Sequence, residues 1–390
     1  MTPAARTQAA IELLDAVIDA ARSGGAAADT LIARYFATRR YAGSKDRRAV
    51  RDLVYAAIRR AGDVPTSGRA AMLSVAASDA AVAATFDGSA HGPAPISADE
   101  PMAASGVMPS WLAAALSASG VSPDQQAALI DRAPLDVRVN RLRADPASIA
   151  SALDGEPIPG VPDALRLPTG TNVDAYAGQI EVQDAGSQIV SLAAIAQPGE
   201  RIVDLCAGGG GKTLALAAAM RNEGHILATD IDRARLSRLA PRAEKAGVTI
   251  VETRLLDPKR EAAALTDWVG TADTVLIDAP CSGTGTWRRN PEARWRLTAD
   301  RLARFAEQQR HVLDVGAELV RPGGALVYIV CSLLDAEGAG QVEAFLADHS
   351  HWRAEPLDLP AGSPRGAGLR LDPASHGTDG FFVARLIRAC

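Results

Sequence analysis

Three stretches of the chain combine an apolar run, which predicts a buried strand, with a polar or nucleophilic residue directly after it. Asp278 and Cys281 follow the run at residues 274–277, and Cys331 follows the run at residues 325–330. A third run leads into a glycine-rich loop. Because open α/β sheets bind ligands at the carboxyl ends of their strands, we expect these three strand ends to meet at one site.

The glycine-rich loop, CAGGGGKT at residues 206–213, lies between a predicted strand and a predicted helix. Glycines let the backbone approach a ligand closely, and the start of a helix offers free N–H donors. The loop matches neither the Walker P-loop nor the usual GxGxxG register. The loop by itself therefore leaves two interpretations open, a ligand cradle and a simple tight turn.

Two acidic residues strengthen the ligand interpretation. Asp230 ends the next predicted strand, where a carboxylate can accept hydrogen bonds from ribose hydroxyls. Asp257 follows a third predicted strand and could reach an adenine amino group. Nothing in the sequence resembles a pocket for a second nucleotide half. A ligand with an adenosine and no pyrophosphate fits these residues, and S-adenosylmethionine is such a ligand.

The two cysteines at neighbouring strand ends point to a type of reaction. A lone strand-end cysteine is more often an inert core residue than a nucleophile. Methylation of a pyrimidine at carbon 5 needs a nucleophile on carbon 6, a hydrogen-bond partner near ring nitrogen 3 and a base for the carbon-5 proton. One thiolate, the Asp278 carboxylate and a second thiol would supply these roles. The spacing does not decide whether Cys281 or Cys331 attacks.

The elements around these residues predict a doubly wound sheet. From residue 199 onward, strands alternate with helices. The predicted strands are 202–205, 225–229, 249–253, 274–277, 325–330 and 381–387, and the predicted helices are 213–220, 233–246 and 299–319. Residues 6–60 have helical periodicity, and residues 70–129 predict short helices around a loop at 87–101. We therefore expect a helical domain at 1–130, a small α/β linking subdomain at 131–198 and a catalytic domain at 199–390.

Charge is distributed unevenly along the chain. The 390 residues carry a net charge of −5, so any nucleic-acid binding must come from local patches. Residues 34–60 hold nine basic residues and only two acids, Asp46 and Asp52, which favours a phosphate-binding face over a merely solvated helix. The candidate RNA-binding residues there are Arg39, Arg40, Lys45, Arg47 and Arg48.

A second candidate RNA contact follows the Asp278 loop. Arg288 and Arg289 adjoin Trp287, a combination that suits phosphate contact and base stacking. The alternative is a helix-capping loop, and we expect Trp295 to lie in the core. The four cysteines and six histidines lack metal-ligand spacing. Because no apolar run predicts a signal peptide or a bilayer span, we expect a cytoplasmic protein.

Several motifs together resemble one family. They are DLCAGGGGKT at 204–213, DAPCSGTG at 278–285, VCS at 330–332, VQDAGSQ at 182–188, DGFFVAR at 379–385 and YAGSKDRR at 41–48. This set resembles the RNA 5-methylcytosine methyltransferases of the Sun/RsmB (NOL/NOP/Sun) family. The resemblance implies a class I S-adenosylmethionine-dependent methyltransferase fold, which is a Rossmann-like doubly wound α/β sheet, with an all-α, NusB-like RNA-binding domain at the N-terminus.

The resemblance also implies residue roles. Cys331 would attack carbon 6, Cys281 would promote release of the covalent adduct, and Asp278 would contact the base. The residues implied to bind S-adenosylmethionine are Cys206, Ala207, Gly208, Gly209, Gly210, Gly211, Lys212, Asp230, Asp257 and Asp278. The chain departs from the family pattern at Gly209, where a proline is expected, and at Val330, where a threonine is usual.

We therefore predict an enzyme, acting as a monomer, that methylates carbon 5 of a cytosine in ribosomal RNA. Transfer RNA is the alternative substrate. A DNA cytosine methyltransferase is less favoured, because those enzymes do not pair their Pro-Cys nucleophile with a second strand-end Cys-Ser. A non-catalytic RNA-binding assembly factor of the same fold is a further alternative. The Cys281 and Cys331 pair argues against it, while the departures at Gly209 and Val330 leave it open.

Overall fold

A computed structural model describes residues 1–258 and 260–390, and these divide into two compact units. The first unit comprises Met1–Arg132 and Thr286–Thr298, and the second comprises Ala133–Gly285 and Ala299–Cys390. The chain therefore leaves the second unit directly after the DAPCSGTG loop and returns to it at α14, defined below. Among the described residues, no helix has both the length and the apolar character that a bilayer crossing requires.

The regular elements of the first unit are helices. Thr2 caps the first one by accepting from the Ala5 backbone N–H, and the helix ends at Gly24, whose φ of +73° suits a left-handed cap. Its apolar face, with Leu14 and Ile18, is buried in the core of the unit. The helices are α1 (Pro3–Ser23), α2 (Ala28–Ala37), α3 (Ser44–Arg60), α4 (Gly68–Ala76), α5 (Ala80–Ala83), α6 (Ser110–Ala118) and α7 (Pro123–Ala128).

The segment Thr286–Thr298 is packed into this helical unit. Trp295 is buried in its core and donates its indole N–H to the Ala61 carbonyl at 3.3 Å, as expected for a core tryptophan. The fully buried Arg294 donates to the carbonyls of Ile58 at 2.6 Å and Ala61 at 2.7 Å. These contacts tie the segment to the end of α3.

The second unit begins with a small antiparallel sheet. Its strand order is β2-β3-β1-β4. Asp136 on β1 is fully buried and accepts from Arg166 Nε at 2.8 Å and from the Ala185 backbone N–H at 3.2 Å. The carboxylate thereby ties β1 to β3 and to the start of α9. The elements are β1 (Leu135–Val139), α8 (Pro146–Leu153), β2 (Glu156–Pro157), β3 (Ala164–Leu167), β4 (Ile180–Val182) and α9 (Ala185–Leu192).

The rest of the second unit is built on a nine-stranded sheet. Its strands are β5 (Arg201–Asp204), β6 (His225–Asp230), β7 (Val251–Leu255), β8 (Ala272–Asp278), β9 (Val320–Val330), β10 (Trp352–Glu355), β11 (Ser363–Arg365), β12 (Gly368–Leu371) and β13 (Phe381–Arg388). Its helices are α10 (Gly211–Ala219), α11 (Arg233–Leu236), α12 (Leu239–Ala246), α13 (Glu261–Ala264), α14 (Ala299–Leu319), α15 (Ala339–Asp348) and α16 (Pro373–His376).

The strand order confirms the predicted doubly wound sheet. The strands run β7-β6-β5-β8-β9 in parallel, and β13 joins β9 antiparallel. Alternate side chains enter two cores on opposite faces. Ile202 and Leu276 belong to one core, whereas Val203 and Val275 belong to the other. Burial on both faces explains why these strands read as continuous apolar runs.

The structure corrects some predicted boundaries. The helix expected at 233–246 is two helices, α11 and α12, and Pro241 lies in the first turn of α12, where its missing N–H costs no helical hydrogen bond. The third strand begins at Val251, two residues later than predicted, and β9 begins at Val320, five residues earlier. Strands β10 and β12, which pair with β13 on the side away from β9, were not predicted.

The last residue of β5, Asp204, is a buried carboxylate. Asp204 is 0% exposed, and its Oδ2 accepts from Thr213 Oγ1 on α10 at 2.6 Å. Its other oxygen has no hydrogen-bond partner among the described residues. Burial raises the pKa of Asp204 to about 7, because the charged form is poorly solvated there. Asp204 therefore links β5 to α10, and the free-energy cost of burying its carboxyl group depends on pH.

Asp204→Asn should remove a pH-dependent part of the stability. An unfolded aspartate titrates near ~3.9, whereas Asp204 titrates at about 7 in the fold. Between these values the folded state binds more protons than the unfolded state, so the free energy of unfolding falls as pH rises. Urea unfolding at pH 5 and pH 8 should show that the wild type loses about 3 kcal/mol relative to the variant.

The matched control is Asp358→Asn, which replaces an exposed aspartate. The difference in free energy of unfolding between this variant and the wild type should be the same at pH 5 and pH 8. A difference between wild type and Asp204→Asn that is equal at both pH values would contradict the pH-dependent cost of burying Asp204.

Candidate functional site

The loops that follow β5, β6, β8 and β9 lie at one edge of the sheet. The parallel register pairs Asp204 with Ala228 and Leu276, and it pairs Asp278 with Ile329. Strands β6 and β7 extend from β5 in one direction, and β8 and β9 extend in the other. Such a reversal point is where doubly wound sheets bind ligands.

The glycine-rich loop has a backbone that needs glycine at defined positions. Gly208 and Gly210 have φ values of +54° and +84°, in the left-handed region. A Cβ on Gly210 would lie 2.1 Å from Leu239 Cδ1, and one on Gly208 would lie 2.5 Å from Arg235 Nη2. Gly209 has no left-handed φ, and its Cβ would lie 3.3 Å from Arg242 Nη1. The glycines at 208 and 210 are thus required by the loop, whereas the one at 209 is not.

Asp230 holds this loop against the next strand end. Its two carboxylate oxygens accept from the backbone N–H groups of Gly208 at 2.8 Å and Asp232 at 2.7 Å. Ile231, between the two acids, is an apolar side chain that is 53% exposed. Asp257 follows β7 and is exposed. The loop edge therefore has the exposed carboxylate of Asp257 and the exposed apolar side chain of Ile231, whereas Asp230 is only 5% exposed.

Cys206 and Ala207 form the wall of the loop nearest the sheet. The Ala207 backbone N–H donates to the Thr229 carbonyl at 2.8 Å, and Thr229 Oγ1 donates to the Leu205 carbonyl at 2.7 Å. Burial raises the pKa of the Cys206 thiol. Cys206 is consequently a neutral side chain of the loop.

Lys212 and Asp278 form a partly buried ion pair. Lys212 Nζ donates to Asp278 Oδ2 at 2.8 Å and to Ser187 Oγ at 3.2 Å, and it lies 5.5 Å from the centre of the Phe381 ring. Burial lowers the pKa of Lys212, but the neighbouring Asp278 carboxylate outweighs it and raises the pKa above its ordinary value. Lys212 is therefore a fixed cation beside Asp278, a contact that the glycine-loop motif did not reveal.

The two predicted catalytic cysteines lie side by side. Their sulfur atoms are 3.3 Å apart, although 50 residues separate them in the chain. The hydrogen bond with Cys331 and burial raise the pKa of Cys281 well above its ordinary value. The two sulfurs are within hydrogen-bond distance of each other, and either thiol can be the donor. The geometry brings together Asp278, Cys281, Cys331 and the glycine-rich loop.

The predicted RNA-binding residues of the first unit have different exposures. Arg40, Lys45, Arg47 and Arg48 are exposed at the start of α3 and in the turn before it. Arg39 is half-buried, and its guanidinium lies 3.6 Å above the centre of the Tyr35 ring.

The predicted contacts in the Thr286–Thr298 segment are less accessible. Arg288 is only 6% exposed, Arg289 is half-buried, and Trp287 is fully buried. A direct phosphate contact by Arg288, or base stacking by Trp287, does not fit this burial.

Sequence reasoning missed two residues that touch the site. Ser187 contacts Lys212 from the start of α9, and it lies within the VQDAGSQ motif. Glu337 contacts the serines that follow both cysteines. Its only sequence signal was proximity, since it lies six residues after Cys331.

Comparison with known proteins gives the family. The profile described as 16S rRNA methyltransferase RsmB/F matches residues 192–387. The chain is 37% identical over 272 residues to a probable ribosomal RNA small subunit methyltransferase B of Synechocystis, covering 65% of this chain and 60% of that protein. The chain therefore spans less than two thirds of this curated relative.

Solved structures agree on the fold. The crystal structure of PH0851 covers 99% of both chains with a TM-score of 0.78 at 24% identity. The structure of NSun6 from Pyrococcus horikoshii, solved with the S-adenosylmethionine analogue SFG, covers 72% of this chain and 98% of its own with a TM-score of 0.64 at 19% identity. These matches confirm the predicted class I methyltransferase fold. The chain belongs to the RsmB/F family of 16S rRNA methyltransferases.

Proposed function

We propose that this protein methylates carbon 5 of a cytosine in ribosomal RNA, with S-adenosylmethionine as the methyl donor. The observation that carries the proposal is the pair of sulfurs 3.3 Å apart at the strand ends that also hold Asp278 and the glycine-rich loop. Membership of a 16S rRNA methyltransferase family supports ribosomal RNA as the substrate. The site of action would be the cytoplasm, where ribosomes are assembled.

The residues around the glycine-rich loop fit S-adenosylmethionine. A side chain at Gly208 or Gly210 would collide with Arg235 or Leu239, so glycine at these positions lets the loop keep the conformation in which it would hold the ligand. Asp230 and Asp257 would accept from ribose and adenine, and the exposed Ile231 would cover an apolar ring face. When bound, the sulfonium group supplies an electrophilic methyl group.

Cys331 is the proposed nucleophile. Its sulfur adds to carbon 6 of the cytosine, which makes carbon 5 nucleophilic. After carbon 5 gains its methyl group, removal of the carbon-5 proton restores the ring double bond and expels the sulfur. The assignment of the attack to Cys331 follows the family resemblance, and the 3.3 Å between its sulfur and that of Cys281 supports a shared site.

Cys281 is the proposed group that releases the product. Once the sulfur of Cys331 is bonded to carbon, the Cys281–Cys331 hydrogen bond that raises the pKa of Cys281 is lost. The Cys281 thiol can then lose its proton to solvent, and the resulting thiolate accepts the carbon-5 proton. Asp278, fixed by Lys212 at 2.8 Å, would contact the polar edge of the base.

Replacing the two catalytic cysteines should separate this enzyme from a non-catalytic assembly factor. With labelled S-adenosylmethionine and total RNA, Cys331→Ala should lower transfer by about a thousandfold or more, because it removes the sulfur proposed to add to carbon 6. The exposed Cys390→Ala serves as the control and should transfer normally. Digestion of the RNA should recover the label as 5-methylcytidine from 16S rRNA.

Undiminished transfer by Cys331→Ala would contradict the proposed mechanism. Label confined to transfer RNA would instead favour the alternative substrate, and no label with the wild-type protein would favour the assembly factor.

A substitution at Gly209 should change the affinity for S-adenosylmethionine little, whereas a substitution at Gly210 should lower it. Gly210→Ala places a Cβ against Leu239 at a left-handed φ, so we expect the affinity for S-adenosylmethionine to fall about tenfold or more. Gly209→Ala meets only the end of a flexible arginine and should stay within about twofold of wild type. Calorimetric titration measures both affinities, and wild-type affinity in Gly210→Ala would show that this loop does not form the cofactor site.

The start of α3 is the proposed RNA-binding surface of a helical domain at residues 1–130. Arg40, Lys45, Arg47 and Arg48 are exposed there, and Tyr41, with 73% of its surface exposed, offers a face for base stacking. Asp46 is engaged by Arg6 at 2.8 Å and so does little to neutralise its neighbours. The linking segment at 131–198 would join this domain to the catalytic one.

The double variant Arg40→Gln and Arg48→Gln should weaken binding to a 16S rRNA fragment. Loss of two phosphate contacts should reduce the slope of log affinity against log salt by about 1.4. The exposed pair Arg221→Gln and Arg353→Gln removes the same charge elsewhere and controls for net charge. Fluorescence anisotropy over a salt series gives the slopes, and identical slopes for both double variants would exclude this surface.

A further inference from the structure

Glu337 is a buried carboxylate that the proposed mechanism does not use. It lies in the turn between β9 and α15 and is 1% exposed. Within residues 1–258 and 260–390, no lysine, arginine or histidine forms an ion pair with it. A buried carboxylate is costly unless hydrogen-bond donors replace its water. The hydrogen-bond donors that surround Glu337 therefore indicate its structural role.

Three residues, Ser282, Gln309 and Ser332, supply four donors. Glu337 Oε1 accepts from the Ser282 backbone N–H at 2.8 Å and from Gln309 Nε2 at 3.1 Å. Glu337 Oε2 accepts from Ser332 Oγ at 2.6 Å and from Ser282 Oγ. An ionised carboxylate has about four acceptor positions, so this network fills them.

Two of these donors are the residues directly after the cysteines. Ser282 follows Cys281, and Ser332 follows Cys331. Their hydroxyl oxygens are 3.3 Å apart, and Ser332 Oγ also lies 3.1 Å from Thr284 Oγ1. One carboxylate thus joins two loops that are 50 residues apart in sequence.

Glu337 is itself held firmly. Its backbone carbonyl accepts from the hydroxyl of Tyr328, a fully buried residue of β9, at 2.6 Å. Gln309 on α14, which donates to the carboxylate, also donates to the Pro280 carbonyl at 2.9 Å. The turn, the strand and the helix therefore fix the carboxylate, and the carboxylate fixes both cysteine loops.

We propose that Glu337 is a positioning residue that sets the separation of Cys281 and Cys331 through the serine after each cysteine. The inference rests on the proposed function for its role in the reaction, since attack by one sulfur and release by the other require both within reach of one base. Its geometric part is independent of that function. A misplacement of about 1 Å can cost about a hundredfold in rate.

A disulfide-trapping experiment measures the separation directly. The full-length protein, without RNA or cofactor, is treated with the thiol oxidant diamide, and the peptide containing the Cys281–Cys331 disulfide is quantified by mass spectrometry over time. In Glu337→Gln the amide N–H₂ faces at least one of the donors that Glu337 now accepts from, so the loops should separate. We expect trapping to slow about tenfold or more, while alkylation of the exposed Cys390 keeps its rate.

Glu343→Gln is the matched control, because Glu343 is exposed on α15, and it should trap at the wild-type rate. Ser332→Ala removes one hydroxyl only and should slow trapping to an intermediate extent. In methylation assays, Glu337→Gln should lower kcat and leave KM for RNA within about twofold.

Wild-type trapping by Glu337→Gln would overturn the inference. If that variant fails to fold, unchanged trapping by Ser332→Ala would overturn it. Slower trapping in a protein that methylates no RNA would uphold the positioning by Glu337 and reject the proposed function.

Discussion

The parallel pairing of β8 with β9 is the constraint on which the site depends. Its register places Asp278 opposite Ile329, so the loops that begin at these positions leave the sheet side by side. Each loop carries a cysteine a few residues beyond the strand end, and the two sulfurs meet at 3.3 Å. A shift of one residue in this register would turn one set of strand side chains to the opposite face of the sheet. The buried side chains on both faces make such a shift unfavourable.

Charge placement makes the chemistry of this edge asymmetric. The Lys212 cation is fixed beside Asp278, whereas Cys206 and Cys281 are held neutral by pKa values raised above their ordinary range. The proposed nucleophile, Cys331, thus lies 3.3 Å from a thiol whose pKa is raised. When the sulfur of Cys331 bonds to carbon 6, the pKa of the Cys281 thiol changes. One pair of sulfurs can therefore serve both attack and release.

The sequence predicted much of the sheet and the meeting of its strand ends. Strands such as β8 are buried on both faces and are therefore unbroken apolar runs, and the chemically active residues follow them directly. Strands β10 and β12 escaped prediction because each is only four residues long and their shared partner, β13, is close in space only after folding. The return of the Thr286–Thr298 segment to the helical unit, which buries Arg288, also depends on tertiary contacts. Glu337 was missed for the same reason, since its donors come from loops far apart in the chain.

The most direct test of the account is to identify which sulfur bonds to RNA. Cys281→Ala is incubated with 16S rRNA and S-adenosylmethionine, the RNA is digested, and peptide mass spectrometry locates the attached nucleotide. The account predicts a methylated cytidine on Cys331 that accumulates because release is blocked, and no adduct in Cys331→Ala. A nucleotide attached to Cys281 in Cys331→Ala, with none on Cys331 in Cys281→Ala, would contradict it.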